Sequence, residues 1–189
     1  MKRIILFASG SGSNVENIVR YFEGHPAIEI SAVLTNKRDA FVIDRCNKLG
    51  IPALYFNKSG FTGSSLVLQV LQCMDPDLIV LAGFLLKIPS ELVTAFPKKI
   101  INIHPALLPK FGGKGMYGKH VHTAVKTQGE SETGITIHFV NEHYDEGAII
   151  RQFKVGISER DSVDQIAAKV QSLEHKHFPE VIEAILLDT

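Results

Sequence analysis

At 189 residues the chain is long enough for one domain with a sizeable core, hiding roughly 70% of the surface its unfolded form would expose. Twenty basic and twenty acidic residues cancel, which excludes a charge-driven pull toward nucleic acid or a membrane surface. Cys46 and Cys73 lack metal-ligand spacing, no stretch reaches transmembrane length, and the apolar run after Met1-Lys2-Arg3 is too short for a signal segment, so a cytoplasmic protein with free thiols is expected.

Arg3 to Ala8 is an apolar run ending in Ser9-Gly10-Ser11-Gly12-Ser13-Asn14, and helical spacing follows at Val15, Ile18, Val19 and Phe22 up to Gly24. Ile28 to Leu34 reads as a strand, Asp39 to Leu49 as a helix closed by Gly50, and Ala53 to Phe56 as a short strand. Ser64 to Met74 is helical, Leu78 to Ala82 is apolar throughout as a central parallel strand should be, and Pro89 opens a short helix to Phe96. Ile100 to Ile103 is the next strand. This β-α rhythm predicts an α/β, Rossmann-like, mainly parallel sheet with helices on both faces. After a Gly-rich segment the rhythm changes. Lys119 to Thr127 is helical, and Thr133 to Val140 and Ala148 to Val155 form a hairpin that adds antiparallel strands near the C-terminus. Asp161 or Ser162 caps a long last helix, with Gln165 placed for a capping box and Pro179 set to kink or divide it. No repeat or linker interrupts residues 1–189, so a single domain is expected.

Chemistry gathers at three places. Asn102 and His104, two apart on a strand, share a face at the carboxyl edge where open α/β sheets bind ligands. An imidazole relays protons near neutral pH, and an amide N–H₂ donates to an oxygen gaining charge; the plain alternative for His104 is a core histidine satisfied by backbone. The Ser9–Asn14 loop suits an anion at a helix start. Val15 replaces the third glycine of a dinucleotide fingerprint, Thr35-Asn36-Lys37 lacks the ribose-binding acid, and no Walker Lys-Ser/Thr follows, so a small phosphate monoester fits better than a dinucleotide or ATP. The alternative there is a tight turn that binds nothing. The hairpin connection offers carboxylates at Glu142, Asp145 and Glu146, of which Asp145 beside Gly147 is best aimed, unless it is an ordinary turn aspartate. Glu174 shares a helical stripe with Val163, Ile166, Ala167 and Val170 and needs a partner or a ligand there, unless register drift leaves it solvated. His120, His122, His175 and His177 lack accompanying ligands at metal spacing, so no metal is expected.

The run from Asn102 through His104 to Pro109, with Ser9 to Asn14, Asp145-Glu146-Gly147, Leu81 to Phe84, Thr136 to Val140 and Val170 to His175, resembles the folate-dependent formyltransferase family, nearest to its branch acting on glycinamide ribonucleotide. The resemblance covers nearly the whole chain. It implies transfer of the formyl group of 10-formyltetrahydrofolate to the amine of glycinamide ribonucleotide, in purine (IMP) biosynthesis, without a metal or a covalent enzyme intermediate. It implies Asn102, His104 and Asp145 as a catalytic trio, with Asp145 holding His104 charged. Gly12, Ser13 and Asn14 would form a phosphate cradle, and Gln171 and Glu174 would face the ribonucleotide. Phe84, Leu85, Leu86, Lys87 and Ile88, with Val140, Asn141 and Tyr144, would wall the folate pocket.

Some residues depart from the family pattern. An arginine common after Ala82-Gly83-Phe84 is absent at Leu85 and Leu86, leaving Lys87 as the nearest base. A phosphate-facing arginine is replaced within Gly63-Ser64-Ser65, for which serine hydroxyls, or Lys114 or Lys119 closing from the Phe111–His120 flap, would compensate. The rival readings are a formyltetrahydrofolate deformylase, which usually carries an N-terminal regulatory domain, a sugar-nucleotide N-formyltransferase, a methionyl-tRNA formyltransferase, disfavoured by the neutral charge, and a non-catalytic phosphate-binding Rossmann module.

Overall fold

A computed structural model describes residues 1–187. Seven strands form one sheet in the order β3-β2-β1-β4-β5-β6-β7. The first five are parallel: β1 (Lys2–Ala8), β2 (Ile28–Thr35), β3 (Ala53–Tyr55), β4 (Leu78–Leu81) and β5 (Ile100–His104). The hairpin β6 (Glu132–Phe139) and β7 (Ile149–Gly156) adds two antiparallel strands beside β5. Alternation along β1 divides the core between the two faces. Ile4, Leu6 and Ala8 pack with α1 (Ser13–Tyr21), α2 (Val42–Leu49) and α7 (Val163–Leu187). Ile5 and Phe7 pack on the other face with α3 (Lys58–Thr62), α4 (Leu66–Met74) and α5 (Ser90–Ala95). There Phe7, Phe56, Phe61 and Phe84 form an aromatic cluster with ring centroids 5.0–6.4 Å apart. The remaining helix, α6 (Lys119–Thr127), follows the Gly-rich segment and packs on α7.

Two elements differ from expectation. Helix α3 has no counterpart in the periodicity, because five residues with one apolar side chain, Phe61, leave no repeat to read; Asn57 caps it by accepting the Gly60 N–H at 2.7 Å. Helix α7 runs unbroken through buried Pro179. Proline removes the donor that would have served the His175 carbonyl. The Asn17 side chain on α1 supplies it instead, at 2.7 Å. The capping box at the start of α7 forms with Ser162 as the cap: Gln165 N–H donates to Ser162 Oγ at 3.2 Å and Ser162 N–H to Gln165 Oε1 at 2.8 Å.

The chain winds outward from β1 to β3 and then in the opposite direction from β4. The loops after β1 and β4 therefore meet at a topological switch point, where such sheets leave a crevice. Ser9, wholly buried, joins them: its N–H donates to the Gly83 carbonyl at 3.0 Å, and its Oγ accepts the Leu85 N–H at 2.9 Å and donates to Asn36 at 2.6 Å.

Candidate active site

The crevice is a cavity of about 820 Å³. At its centre, Asn102 and His104 project from the same face of β5, as their spacing requires. Antiparallel pairing sets Asn102 opposite His138 on β6, and Asn102 Nδ2 lies 3.1 Å from His138 Nε2. The other ring nitrogen of His138 donates to the Phe139 carbonyl at 2.8 Å, which leaves Nε2 free to accept from the amide. His138 belongs to the network although sequence reasoning passed over it. A polar residue alternating into a strand face was the available signal, but its importance depends on a cross-strand register the sequence does not print.

Asp145 enters from the β6–β7 connection in the left-handed region at φ +56°, an unusual conformation for a non-glycine residue. Its Oδ1 accepts from Asn102 Nδ2 at 3.5 Å, and its Oδ2 accepts the Gly113 N–H at 2.9 Å and lies 3.5 Å from His104 Nδ1. Gly147 is what permits this aim, since a Cβ there would fall 1.7 Å from the Phe139 carbonyl oxygen. On its far side His104 donates from Nε2 to the Phe111 carbonyl at 2.8 Å. Phe111 is itself left-handed at φ +59°. Thus the root of the Gly-rich segment, Phe111 to Gly113, is tied to both His104 and Asp145.

The cavity is lined by Phe84, Leu85, Leu86, Lys87 and Ile88 after β4 and by Val140, Asn141 and Tyr144 from the hairpin side. Ser11, Asn14, Gln171 and Glu174, from the loop after β1 with the start of α1 and from α7, also line it. Asn14 Nδ2 donates to Glu174 Oε2 at 2.9 Å, while buried Asn14 Oδ1 has no partner among the described residues. Gly12 and Ser13 stand behind this surface. Gly12, at φ +74°, packs so closely that a Cβ would lie 2.4 Å from Val42 Cγ2, and Ser13 Oγ accepts from Gln171 at 3.3 Å. Lys114 and Lys119 both line the cavity, Lys119 already paired with Asp164 at 2.8 Å. Ser64 and Ser65 lie outside it, bonded within their own turn and helix, so they offer no replacement for an arginine. Buried His122 is a second residue the sequence reading did not place here, and its Nδ1 has no partner among the described residues.

Comparison with known proteins now decides the family. A family model described as formyl transferase matches residues 2–182. The chain belongs to the formyl transferase family. Its relatives include the chloroplastic phosphoribosylglycinamide formyltransferase of Arabidopsis thaliana, 44% identical over 97% of this chain and 65% of that one, and the phosphoribosylglycinamide formyltransferase of Bacillus subtilis, 37% identical over 98% and 95%. The chain spans 65% and 61% of the two plant relatives it matches. The crystal structure of glycinamide ribonucleotide transformylase 1 from Geobacillus kaustophilus superimposes with a TM-score of 0.89 at 33% identity, covering 98% of this chain and 99% of that one.

In this formyl transferase, burial sets the resting charges. It pushes the His104 imidazole below its usual range; the Asp145 charge and the Phe111 carbonyl oppose the shift, and His138 adds to it. The site therefore favours the neutral form of His104, a resting charge that the sequence alone leaves open. Burial pushes the Asp145 carboxyl upward, but the neighbouring His138 and His104 imidazoles and the Gly113 N–H together bring it below the ordinary value, so it stays ionised. Burial pushes Glu174 up, opposed by its bond from Asn14. Burial likewise holds His122 low, and the proximity of His104 lowers it further. The centre thus combines an amide donor, an ionised carboxylate and a neutral imidazole, able to accept a proton beside a carbonyl that becomes anionic. Among the described residues no three His, Cys, Asp or Glu side chains converge to hold a metal.

Proposed function

We propose that this chain transfers the formyl group of 10-formyltetrahydrofolate to the amine of glycinamide ribonucleotide, in purine biosynthesis. The observation that carries the reading is that Asn102, His104 and Asp145, in contact with one another, line one cavity together with an apolar wall suited to a pterin and a helix start suited to a phosphate. Phosphoribosylglycinamide formyltransferase is also the name its relatives carry. Gly12, Ser13 and Asn14 cradle the phosphate through backbone N–H groups, Gln171 and Glu174 meet the ribonucleotide, and the walls after β4 and in the hairpin connection receive the folate.

The amine attacks the formyl carbon, forming a C–N bond and leaving charge on the formyl oxygen. Asn102 Nδ2 donates to that oxyanion, and a donor so placed is worth about 3 kcal/mol. As the negative charge grows, His104 Nδ1, 3.5 Å from Asp145, shares with it the one proton that the amine sheds, forming an ion pair while the imidazole holds it and releasing it when the folate nitrogen is protonated. Asp145 accepts the proton shed by the amine, directly or through water, and returns it to the folate nitrogen as the bond to that nitrogen breaks. One C–N bond forms, one breaks, and one proton moves between the two nitrogens. All seven strands join one sheet, and the chain acts as a single catalytic unit. A cytoplasmic site of action suits its two unpaired thiols, Cys46 and Cys73; among the described residues no helix is long and apolar enough to cross a membrane.

Incubation with a 10-formylfolate analogue, with and without glycinamide ribonucleotide, tests this. Release of the deformylated folate only when the ribonucleotide is present is the expected result. Release without it makes the protein a deformylase, and no release under either condition makes it a phosphate-binding module.

A further inference from the structure

We propose that Arg45, on α2 and outside the cavity, is a positioning residue that aims the phosphate cradle. Arg45 lines a separate cavity of about 580 Å³ between α1, α2 and the start of β2, so it does not meet a ligand in the crevice. Its Nε reaches over to donate to the Ser11 carbonyl at 2.8 Å. The guanidinium is itself fixed: its Nη1 pairs with Glu16 on α1, and its centre lies 5.1 Å from the centroid of the Phe41 ring. One residue earlier in the loop, the Gly10 carbonyl accepts the Val42 N–H at 3.2 Å. Both contacts come from the first turns of α2.

The consequence follows from peptide geometry. In a trans peptide the C=O and the following N–H point in opposite directions, and the one cis bond in the described residues is Leu108-Pro109. Holding the Gly10 and Ser11 carbonyls toward α2 therefore turns the Ser11 and Gly12 N–H groups away from it. Among the described residues no acceptor takes the N–H of Ser11, Gly12, Ser13, Asn14 or Val15. The unpartnered, buried Asn14 Oδ1 stands at the same turn and lines the crevice. Without Arg45 the Ser11 peptide is free to rotate, and its carbonyl oxygen would face an anion in place of the Gly12 N–H. A loop with glycines on both sides of Ser11 needs such a clamp, because its own side chains do little to fix its peptide planes.

This inference rests on the reading of Ser9–Asn14 as a phosphate cradle, and inorganic phosphate probes both separately. Phosphate inhibition of the wild-type enzyme, competitive with glycinamide ribonucleotide, tests the cradle, and its absence overturns that reading and this one together. Given that inhibition, Arg45→Met should raise the inhibition constant for phosphate and the KM for the ribonucleotide by the same factor, about tenfold for one lost charge-assisted bond. The kcat and the KM for the formylfolate should stay within twofold. An unchanged phosphate constant overturns the role of Arg45 alone, and so does an equal loss in kcat and both KM values. Arg45→Lys keeps one donor within reach of the Ser11 carbonyl but loses the fork that Glu16 and Phe41 hold. It should give an intermediate shift, and it carries the test if the methionine variant does not fold; wild-type phosphate inhibition in it then overturns the inference.

Discussion

The cluster of Asn102, His104 and Asp145, the middle of the proposed site, and its proposed ribonucleotide end at Asn14 and Glu174 are built in opposite ways. In the middle, Asn102, His104, His138 and Asp145 bond to one another or to the Phe111, Gly113 and Phe139 backbone, and two left-handed residues, Phe111 and Asp145, are held in place by those bonds. At the proposed ribonucleotide end, among the described residues, Asn14 Oδ1 is buried without a partner, loop N–H groups are unclaimed, and half-buried Glu174 has only Asn14 to bond it. Buried polar groups left unmatched cost stability. On the proposed function, the centre is organised before any substrate arrives, and the ribonucleotide end would be completed by its ligand. Substitutions in the middle should cost rate, and substitutions at the end should exchange affinity for stability.

The largest effect should come from the middle. Asp145→Asn keeps the size of the side chain and its acceptor oxygen for Gly113 N–H, but cannot take the amine's proton or pair with a protonated His104. Its kcat should fall roughly 10²- to 10⁴-fold, with both KM values within threefold and the thermal midpoint little changed. Steady-state kinetics beside a melting curve check it, and a near-normal kcat would remove Asp145 from the proton path.

How much of this was legible in the chain follows from how local each feature is. Asn102 and His104 were readable because strand alternation puts residues two apart on one face, and Asp145 because Gly147 marks the turn that aims it. The parallel run of the first five strands followed from the β-α rhythm, while their order in the sheet did not. His138 was not readable, because its value lies in sitting opposite Asn102 across two strands joined by a long connection. The continuity of α7 was hidden for the same kind of reason. Pro179 predicts a kink or a division, and a side chain 162 positions away, Asn17, supplies the missing donor. The resting charge of His104 depends on how deeply the fold buries it, which no spacing encodes.

A medium effect of the opposite kind belongs to Glu174. Its folded-state pKa lies above the unfolded value, so the folded form binds the proton more tightly. The stability this gives is present at low pH and is lost as pH rises through the folded pKa, leaving a half-buried, poorly solvated charge at neutral pH. Glu174→Gln removes that charge and still accepts from Asn14. The variant should melt higher than wild type at pH 7 to 8, with the gap closing toward pH 5, while its KM for the ribonucleotide rises. A lower melting temperature at every pH would mean that Glu174 supports the empty fold and is not held in readiness for a ligand.

The smallest effect should come from the flap lysines, where the end of the cavity is least built. Lys119 is tied to Asp164 on α7 by an exposed pair, an interaction worth at most about 1 kcal/mol, so a phosphate can compete for it. Lys114 is exposed and lines the same cavity. If these two supply the charge that the missing arginine does not, the double variant Lys114→Ala with Lys119→Ala should raise the ribonucleotide KM a few-fold. The increase should shrink as salt rises, because exposed charges are screened over about 8 Å at physiological ionic strength. The Asp145→Asn defect should not respond to salt in this way, since its charge is buried among fixed partners. A ribonucleotide KM that is unchanged at low salt would leave phosphate recognition to the backbone of the Ser9–Asn14 loop, and would place the whole specificity of that end in N–H groups and in the residues that aim them.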